Sequence, residues 1–78
     1  MERDLKKVFG QALLATRDKK KLSQQELADY ADLDRAHLAS LERGKYAPSI
    51  ATIYKLCEAL DVTPIYFIKQ MEAIRLKK

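Results

Sequence analysis

The side chains that could do chemistry in this 78-residue chain are few and isolated. There is one cysteine, Cys57, and one histidine, His37, so the sequence offers neither an internal disulfide nor a zinc site built from such ligands. His37 has no second histidine, cysteine or base close to it in the sequence, and there is no glycine-rich phosphate loop. The sequence therefore predicts no catalytic centre, no metal and no cofactor.

One segment instead carries a row of small or polar side chains on the expected outer face of a helix: Arg35, Ala36, His37, Ala39 and Ser40. A helix with such a face can enter a groove about 12 Å wide. The segment therefore indicates a recognition surface rather than a reaction centre.

The elements that position this segment are helices, because apolar residues recur at three- and four-residue steps and strand signals are nearly missing. The periodicity predicts an all-α domain over residues 1–78, with helices at about 4–19, 23–31, 35–43, 49–60 and 64–76. The expected buried positions include Leu5 in the first helix, and Ile50 and Cys57 in the fourth.

Caps and breakers mark the helix ends. Ser23 and Glu26 have the spacing of a capping box, and Asp34 is expected to cap the third helix. Asp32 is expected to take the left-handed conformation in the turn, and Gly44 to end the third helix. Two helices of about nine residues with a three-residue turn between them match the helix-turn-helix layout.

Several separate segments agree in residue type and spacing with the lambda-repressor-like (XRE) helix-turn-helix family: residues 22–28, 33–35, 38–44 and 48–49. The chain resembles that family over about residues 5–68. The resemblance implies the five-helix lambda-repressor-like fold and a homodimeric transcriptional regulator that binds a palindromic operator. The sequence is also similar to controller proteins of restriction-modification systems, although phage or plasmid regulators and antitoxin-like repressors share the scaffold.

The resemblance assigns base reading to Arg35, Ala36, Ala39 and Ser40, with His37 close by. Arg35 is the strongest candidate because a guanidinium can donate two hydrogen bonds to guanine. His37 either reaches a base or a phosphate or is an ordinary surface residue. Because Ala36 and Ala39 stand where many relatives have polar readers, methyl contacts and DNA shape are expected to supply part of the specificity.

The resemblance also implies two sets of contacts to DNA phosphates. Ser23 and Gln24 lie at the start of the second helix, where free backbone N–H groups favour an anion. Arg43, Lys45 and Tyr46 lie at the end of the third helix and in the loop after it. Glu42 matches a family glutamate with a structural role.

The net charge of +4 is distributed unevenly. Residues 1–22 carry seven basic and three acidic groups (+4), whereas residues 23–42 carry one basic and five acidic groups (−4). Attraction to phosphates is therefore expected at a few points, chiefly Arg35, Arg43 and Lys45, with Arg17 and the lysines after it as further candidates.

The fifth helix has more apolar residues than one buried face needs, and a second copy is expected to cover the remainder in a two-fold dimer. The predicted dimer residues are Ile65, Tyr66, Ile68 and Met71. The alternative is that all of them pack within one chain.

No apolar run approaches the ~20 residues of a membrane span, so the sequence predicts a soluble, cytoplasmic protein. Its predicted partners are double-stranded DNA, a second copy and, if it activates transcription, RNA polymerase through acidic residues such as Asp29. The alternative function is a protein-interaction module, such as an antitoxin, that uses the same fold.

Overall fold

The computed structural model describes residues 4–77, which form five helices and no strand. The helices are α1 (Leu5–Lys19), α2 (Gln24–Ala31), α3 (Arg35–Glu42), α4 (Ile50–Leu60) and α5 (Pro64–Leu76). Each begins and ends within one residue of its predicted bounds, and the predicted all-α fold is confirmed. The predicted domain also includes residues 1–3 and 78, which lie outside the described residues.

Side chains just before the helices satisfy free N–H groups of the first turns. The capping box is confirmed, since Ser23 Oγ accepts from the Glu26 N–H at 3.0 Å and Glu26 Oε1 accepts from the Ser23 N–H at 2.8 Å. Asp34 occupies the N-cap position of α3, as predicted, although its side chain makes no capping hydrogen bond. Its carboxylate is exposed and therefore loses little by facing water instead.

The core forms where α1 crosses α3 and α5, and where α2 packs on α3 and α4. Leu13 of α1, Leu27 of α2 and Leu38 of α3 are fully buried there. The rings of Phe9 and Phe67 join α1 to α5, with centroids 5.4 Å apart and planes inclined by 55°. Helix α3 is therefore supported from behind by both α1 and α2.

Two predicted core positions lie on the surface instead. Leu5 is 60% exposed and Ile50 is 70% exposed, so their assignment to the buried faces is wrong. Each is the first residue of its helix, and burial begins one turn later, at Val8 in α1 and partly at Ile53 in α4.

Cys57 is buried as predicted, with 2% of its surface exposed. Burial in apolar surroundings disfavours the charged thiolate and raises the pKa of this thiol.

Candidate nucleic-acid interface

The turn between α2 and α3 is held by backbone hydrogen bonds and one left-handed residue. Asp32 has φ 57° and ψ 47°, which confirms the predicted conformation. The Leu33 N–H donates to the Ala28 carbonyl at 2.8 Å, and the Asp32 N–H donates to the Asp29 carbonyl at 3.2 Å. Ala28 is fully buried, and its small side chain allows α2 and α3 to cross closely. The direction of α3 relative to α2 is therefore fixed locally.

The outer face of α3 carries the five predicted base-reading residues together. Arg35, Ala36 and His37 are exposed, and Ala39 and Ser40 are partly buried. The opposite face is anchored by Leu38 and Leu41, both fully buried. Arg35 forms no ion pair with the described residues 4–77, so its guanidinium is available to an external acceptor.

A buried ion pair joins α3 to α1. Arg17 Nε donates to Glu42 Oε2 at 2.6 Å and Arg17 Nη2 donates to Glu42 Oε1 at 3.1 Å. The two side chains are only 12% and 5% exposed. A third group of the guanidinium, Nη1, donates to the Leu22 carbonyl at 2.8 Å. The hydrogen bonds with Glu42 raise the pKa of Arg17, against the opposing effect of burial.

This geometry overturns one expectation about phosphate attraction. The guanidinium of Arg17 is committed to Glu42 and Leu22 and is nearly buried, so the suggestion that Arg17 attracts phosphate is wrong. The pair instead joins the C-terminal part of α1 to the last residue of α3. Glu42 thus has a structural part, as the resemblance implied.

Gln24, at the first position of α2, belongs to the same network. Its Nε2 donates to Glu42 Oε1 at 2.8 Å. A primary amide has two N–H groups, so this bond orients the side chain and leaves a second donor for an external oxygen. Ser23 precedes it; in the capping box its backbone N–H donates and its Oγ accepts, so the hydroxyl hydrogen remains a donor for an external oxygen.

The loop after α3 carries the second set of predicted phosphate contacts: Arg43, Lys45 and Tyr46, all exposed. Gly44 has φ 77°, its N–H donates to the Leu41 carbonyl, and the Lys45 N–H donates to the Ser40 carbonyl, both at 3.1 Å. The chain therefore turns sharply at the end of α3, as the glycine predicted.

Two features near α3 were missed by the sequence reasoning. A Cβ on Gly10 would lie 2.5 Å from the Glu42 carbonyl oxygen and 2.7 Å from that of Leu41, so α1 touches the backbone of α3 at this point. A glycine in a helix interior, which costs about 1 kcal/mol relative to alanine, is the signal that could have indicated the close approach. Lys7 lies against Gly44 and adds an exposed basic residue beside the loop.

The four predicted dimer residues lie on more than one face of α5. Ile65 and Ile68 are 72% and 44% exposed. Tyr66 is directed towards α1, where Lys19 Nζ donates to its hydroxyl at 3.3 Å, and Met71 packs against the core. Of these four residues, only Ile65 and Ile68 are mainly exposed to solvent rather than packed within the chain.

None of the helices in residues 4–77 is long and apolar enough to cross a membrane. The same residues contain no group of three or more histidine, cysteine or acidic side chains that could hold a metal ion.

Comparison with known proteins matches a family model described as helix-turn-helix to residues 13–67. The immunity repressor protein of Bacillus phage phi105 is 42% identical over 53 residues, which are 68% of this chain and 37% of that repressor. The chain therefore spans little more than a third of that relative. Control protein C.BamHI of Bacillus amyloliquefaciens is 35% identical over 65 residues, which are 82% of this chain and 80% of that protein.

The chain is also similar to a solved structure. The restriction-modification controller protein C.AhdI from Aeromonas hydrophila is 40% identical, and the two structures agree with a TM-score of 0.77 over 80% of this chain and 94% of that chain.

Proposed function

Because the chain belongs to the helix-turn-helix family, we propose that it is a homodimeric, sequence-specific transcriptional regulator that binds double-stranded DNA. The observation that carries the proposal is the outer face of α3, where Arg35 lies among small side chains and forms no ion pair within the described residues. The ion pair between Arg17 and Glu42 holds this helix against α1. Such a face fits the major groove, where each base pair presents a distinct pattern of donors and acceptors. This is recognition without enzymatic chemistry.

Arg35 has the leading role in base reading, and Ala36, His37, Ala39 and Ser40 complete the surface. Arg35 lies in the first turn of α3, the end that contacts base edges when a recognition helix enters the major groove. The small side chains beside it allow close approach of the helix and methyl contacts with bases.

Phosphate contacts position this helix on the duplex. Ser23 and Gln24 present the N-terminal end of α2, and the Glu42 hydrogen bond holds the Gln24 amide in place. Arg43, Lys45 and Tyr46 supply the second group from the loop after α3. Because residues 23–42 carry five acidic groups and only one basic group, we expect few phosphate contacts for each subunit and a moderate salt dependence.

A second copy completes the binding unit. Ile65 and Ile68 expose apolar surface on α5, and the 59% exposed ring of Tyr54 lies near the start of that helix, beside Pro64. In the proposed dimer this surface packs against the same surface of a second chain, while Tyr66 and Met71 support it from within the chain. The two α3 helices would then enter successive major grooves about 34 Å apart.

The finer assignments are part of the same proposal. The likeness to C.BamHI and C.AhdI supports a controller of a restriction-modification system, and the likeness to a phage immunity repressor supports repression of transcription. Since these relatives belong to bacteria and their phages, the proposed location is the cytoplasm, where their DNA lies. For activation, the exposed Asp29 of α2 is the proposed contact to RNA polymerase.

Selection of bound sites from random double-stranded DNA tests this function. The expected result is a two-fold symmetric site, bound by two chains, with half-sites one helical turn apart. Recovery of sequences no different from the starting pool would contradict it. Stoichiometric co-purification with another protein, together with that failure, would favour an antitoxin-like interaction module.

Arg43→Ala provides a test of the phosphate contacts and Lys69→Ala a control for lost charge. Both remove one exposed positive charge, but Lys69 lies on α5 and belongs to neither set of residues proposed to contact phosphates. Arg43→Ala should weaken binding to all sequences alike and reduce the salt slope by about one, whereas Lys69→Ala should leave both unchanged.

A further inference from the structure

Two aromatic rings from different elements meet on the outer face of α3. His37 lies in the first turn of the helix, and Tyr46 lies in the loop after it. Their planes are parallel within 5° and their centroids are 6.5 Å apart. This separation falls in the ~4.5–7 Å range of offset-stacked aromatic pairs. The stacking links a predicted base reader to a predicted backbone contact.

The backbone explains why Tyr46 reaches this position. The left-handed Gly44 and the hydrogen bond from the Lys45 N–H to the Ser40 carbonyl direct the chain back along α3. Ser40 lies one turn beyond His37 on the same side of the helix. The loop that follows the turn therefore passes the side of α3 that bears His37.

The route of the loop is also restricted from outside. Lys7 of α1 lies so close to Gly44 that a Cβ there would be 2.9 Å from Lys7 Cγ. Glycine fits this turn because its φ is positive and Lys7 leaves no room for a Cβ. The placement of Tyr46 thus follows from packed elements as well as from its own ring.

The stacking matters because nothing else orients the imidazole. The side chain of His37 is exposed and makes no hydrogen bond to the described residues 4–77, and its helical neighbours Ala36 and Ser40 are small. A free exposed side chain loses rotational freedom when it binds, and this loss weakens recognition unless the side chain is already held in place. An aromatic partner supplies that order before DNA arrives.

We propose that Tyr46 is a positioning residue for base recognition, whose ring holds the His37 imidazole in the orientation used to read a base pair. The inference rests on the proposed function and deepens it. The role belongs to the ring, so it is separate from any contact between the Tyr46 hydroxyl and a phosphate.

The first test uses the free protein and needs no DNA. His37 is the only histidine in the chain, so its ring protons give unambiguous NMR signals. We expect nuclear Overhauser contacts between the rings of His37 and Tyr46, retained in Tyr46→Phe and replaced by shifted histidine signals in Tyr46→Leu. Tyr30→Leu, which removes an exposed tyrosine from α2, should leave the histidine signals unchanged. Absence of the contacts in the wild-type protein would overturn the proposal.

The second test measures discrimination between the selected site and its single base-pair variants. His37→Ala identifies the base pair that His37 reads. Tyr46→Leu should lose roughly tenfold discrimination at that same base pair, Tyr46→Phe should keep it, and the double variant should match His37→Ala alone. A hydroxyl contact to phosphate would instead lower the affinity of Tyr46→Phe equally for every sequence. Circular dichroism checks that each variant is folded.

The outcomes separate the two proposals. Three results would overturn the role of Tyr46 but not the proposed function. They are unchanged discrimination in Tyr46→Leu, additive effects in the double variant, and no base-pair effect of His37→Ala. A wild-type protein that selects no DNA would overturn the proposed function and this role with it, even if the ring contacts are observed.

Discussion

Arg17 Nε lies 2.6 Å from Glu42 Oε2, and this contact joins α1 to the last residue of α3. The same carboxylate accepts a hydrogen bond from Gln24 at the start of α2. One buried carboxylate therefore holds together the three helices that carry the recognition surface.

Glu42→Ala should lower the free energy of unfolding by roughly 3 kcal/mol, because it leaves the nearly buried Arg17 without its partner. Urea denaturation measures the change. Glu72→Ala is the matched control, since Glu72 pairs with Arg75 at 2.8 Å but on the exposed surface, where ion pairs contribute little. Equal effects of the two substitutions would contradict the structural role of Glu42. If Glu42→Ala does not fold, Glu42→Gln should fold with an intermediate stability, since it keeps the shape of the side chain.

Gly10→Ala should destabilise the protein although alanine is the better helix former by about 1 kcal/mol. The added Cβ would lie 2.5 Å from the Glu42 carbonyl oxygen, and that backbone belongs to packed α3. Thermal unfolding followed by circular dichroism should give a lower midpoint than for the wild-type protein. A higher midpoint would mean that α1 and α3 can separate without cost.

Cys57 should react slowly with a thiol reagent at pH 8 in the folded protein and rapidly in denaturant. Burial both hides the thiol and raises its pKa, so less of the reactive thiolate is present. Absorbance with Ellman's reagent measures the rate. The pKa of this thiol is higher in the folded than in the unfolded protein, so protonation of Cys57 stabilises the fold. This stabilisation is complete below the ordinary thiol pKa near 9.0 and is lost as the pH rises through the raised pKa of the folded state. Equal rates with and without denaturant would contradict the buried placement.

Ile68→Glu should convert the proposed dimer to a monomer, because it places a charge within an apolar interface. Sedimentation equilibrium at micromolar concentration should give about twice the chain mass for the wild-type protein and one chain mass for the variant. Leu5→Glu is the control. Leu5 is exposed on α1, so this substitution should leave the dimer intact. A wild-type protein that stays monomeric at these concentrations would contradict the dimer itself.

Much of the fold could be predicted from the sequence because its signals are local. The Ser23–Glu26 capping box, the left-handed Asp32 and the stop at Gly44 are each determined within a few residues. The bounds of α2 and the end of α3 followed from them to within one residue. The predicted burial of Leu5 and Ile50 was wrong because periodicity identifies a face of a helix but not where a neighbouring helix begins to cover that face.

The relationships between elements could not be read in the same way. The sequence placed Arg17 among the basic residues that attract DNA, whereas its pairing with Glu42 connects positions 25 residues apart. The stacking of Tyr46 on His37 likewise depends on the path of a loop. Residue type and spacing indicated which side chains could contact DNA, but three-dimensional packing decides which of them are free to do so.

If the outer face of α3 reads base sequence through Arg35, Arg35→Ala should change which base pairs the protein prefers, and equilibrium titration with DNA measures this change. Affinities are measured for the selected site and for each of its single base-pair variants, at one fixed salt concentration. We expect a loss of about 1–3 kcal/mol on the selected site and relaxed preference at one base pair in each half-site. A uniform loss on all sequences with every preference retained, as expected for a phosphate contact, would contradict it.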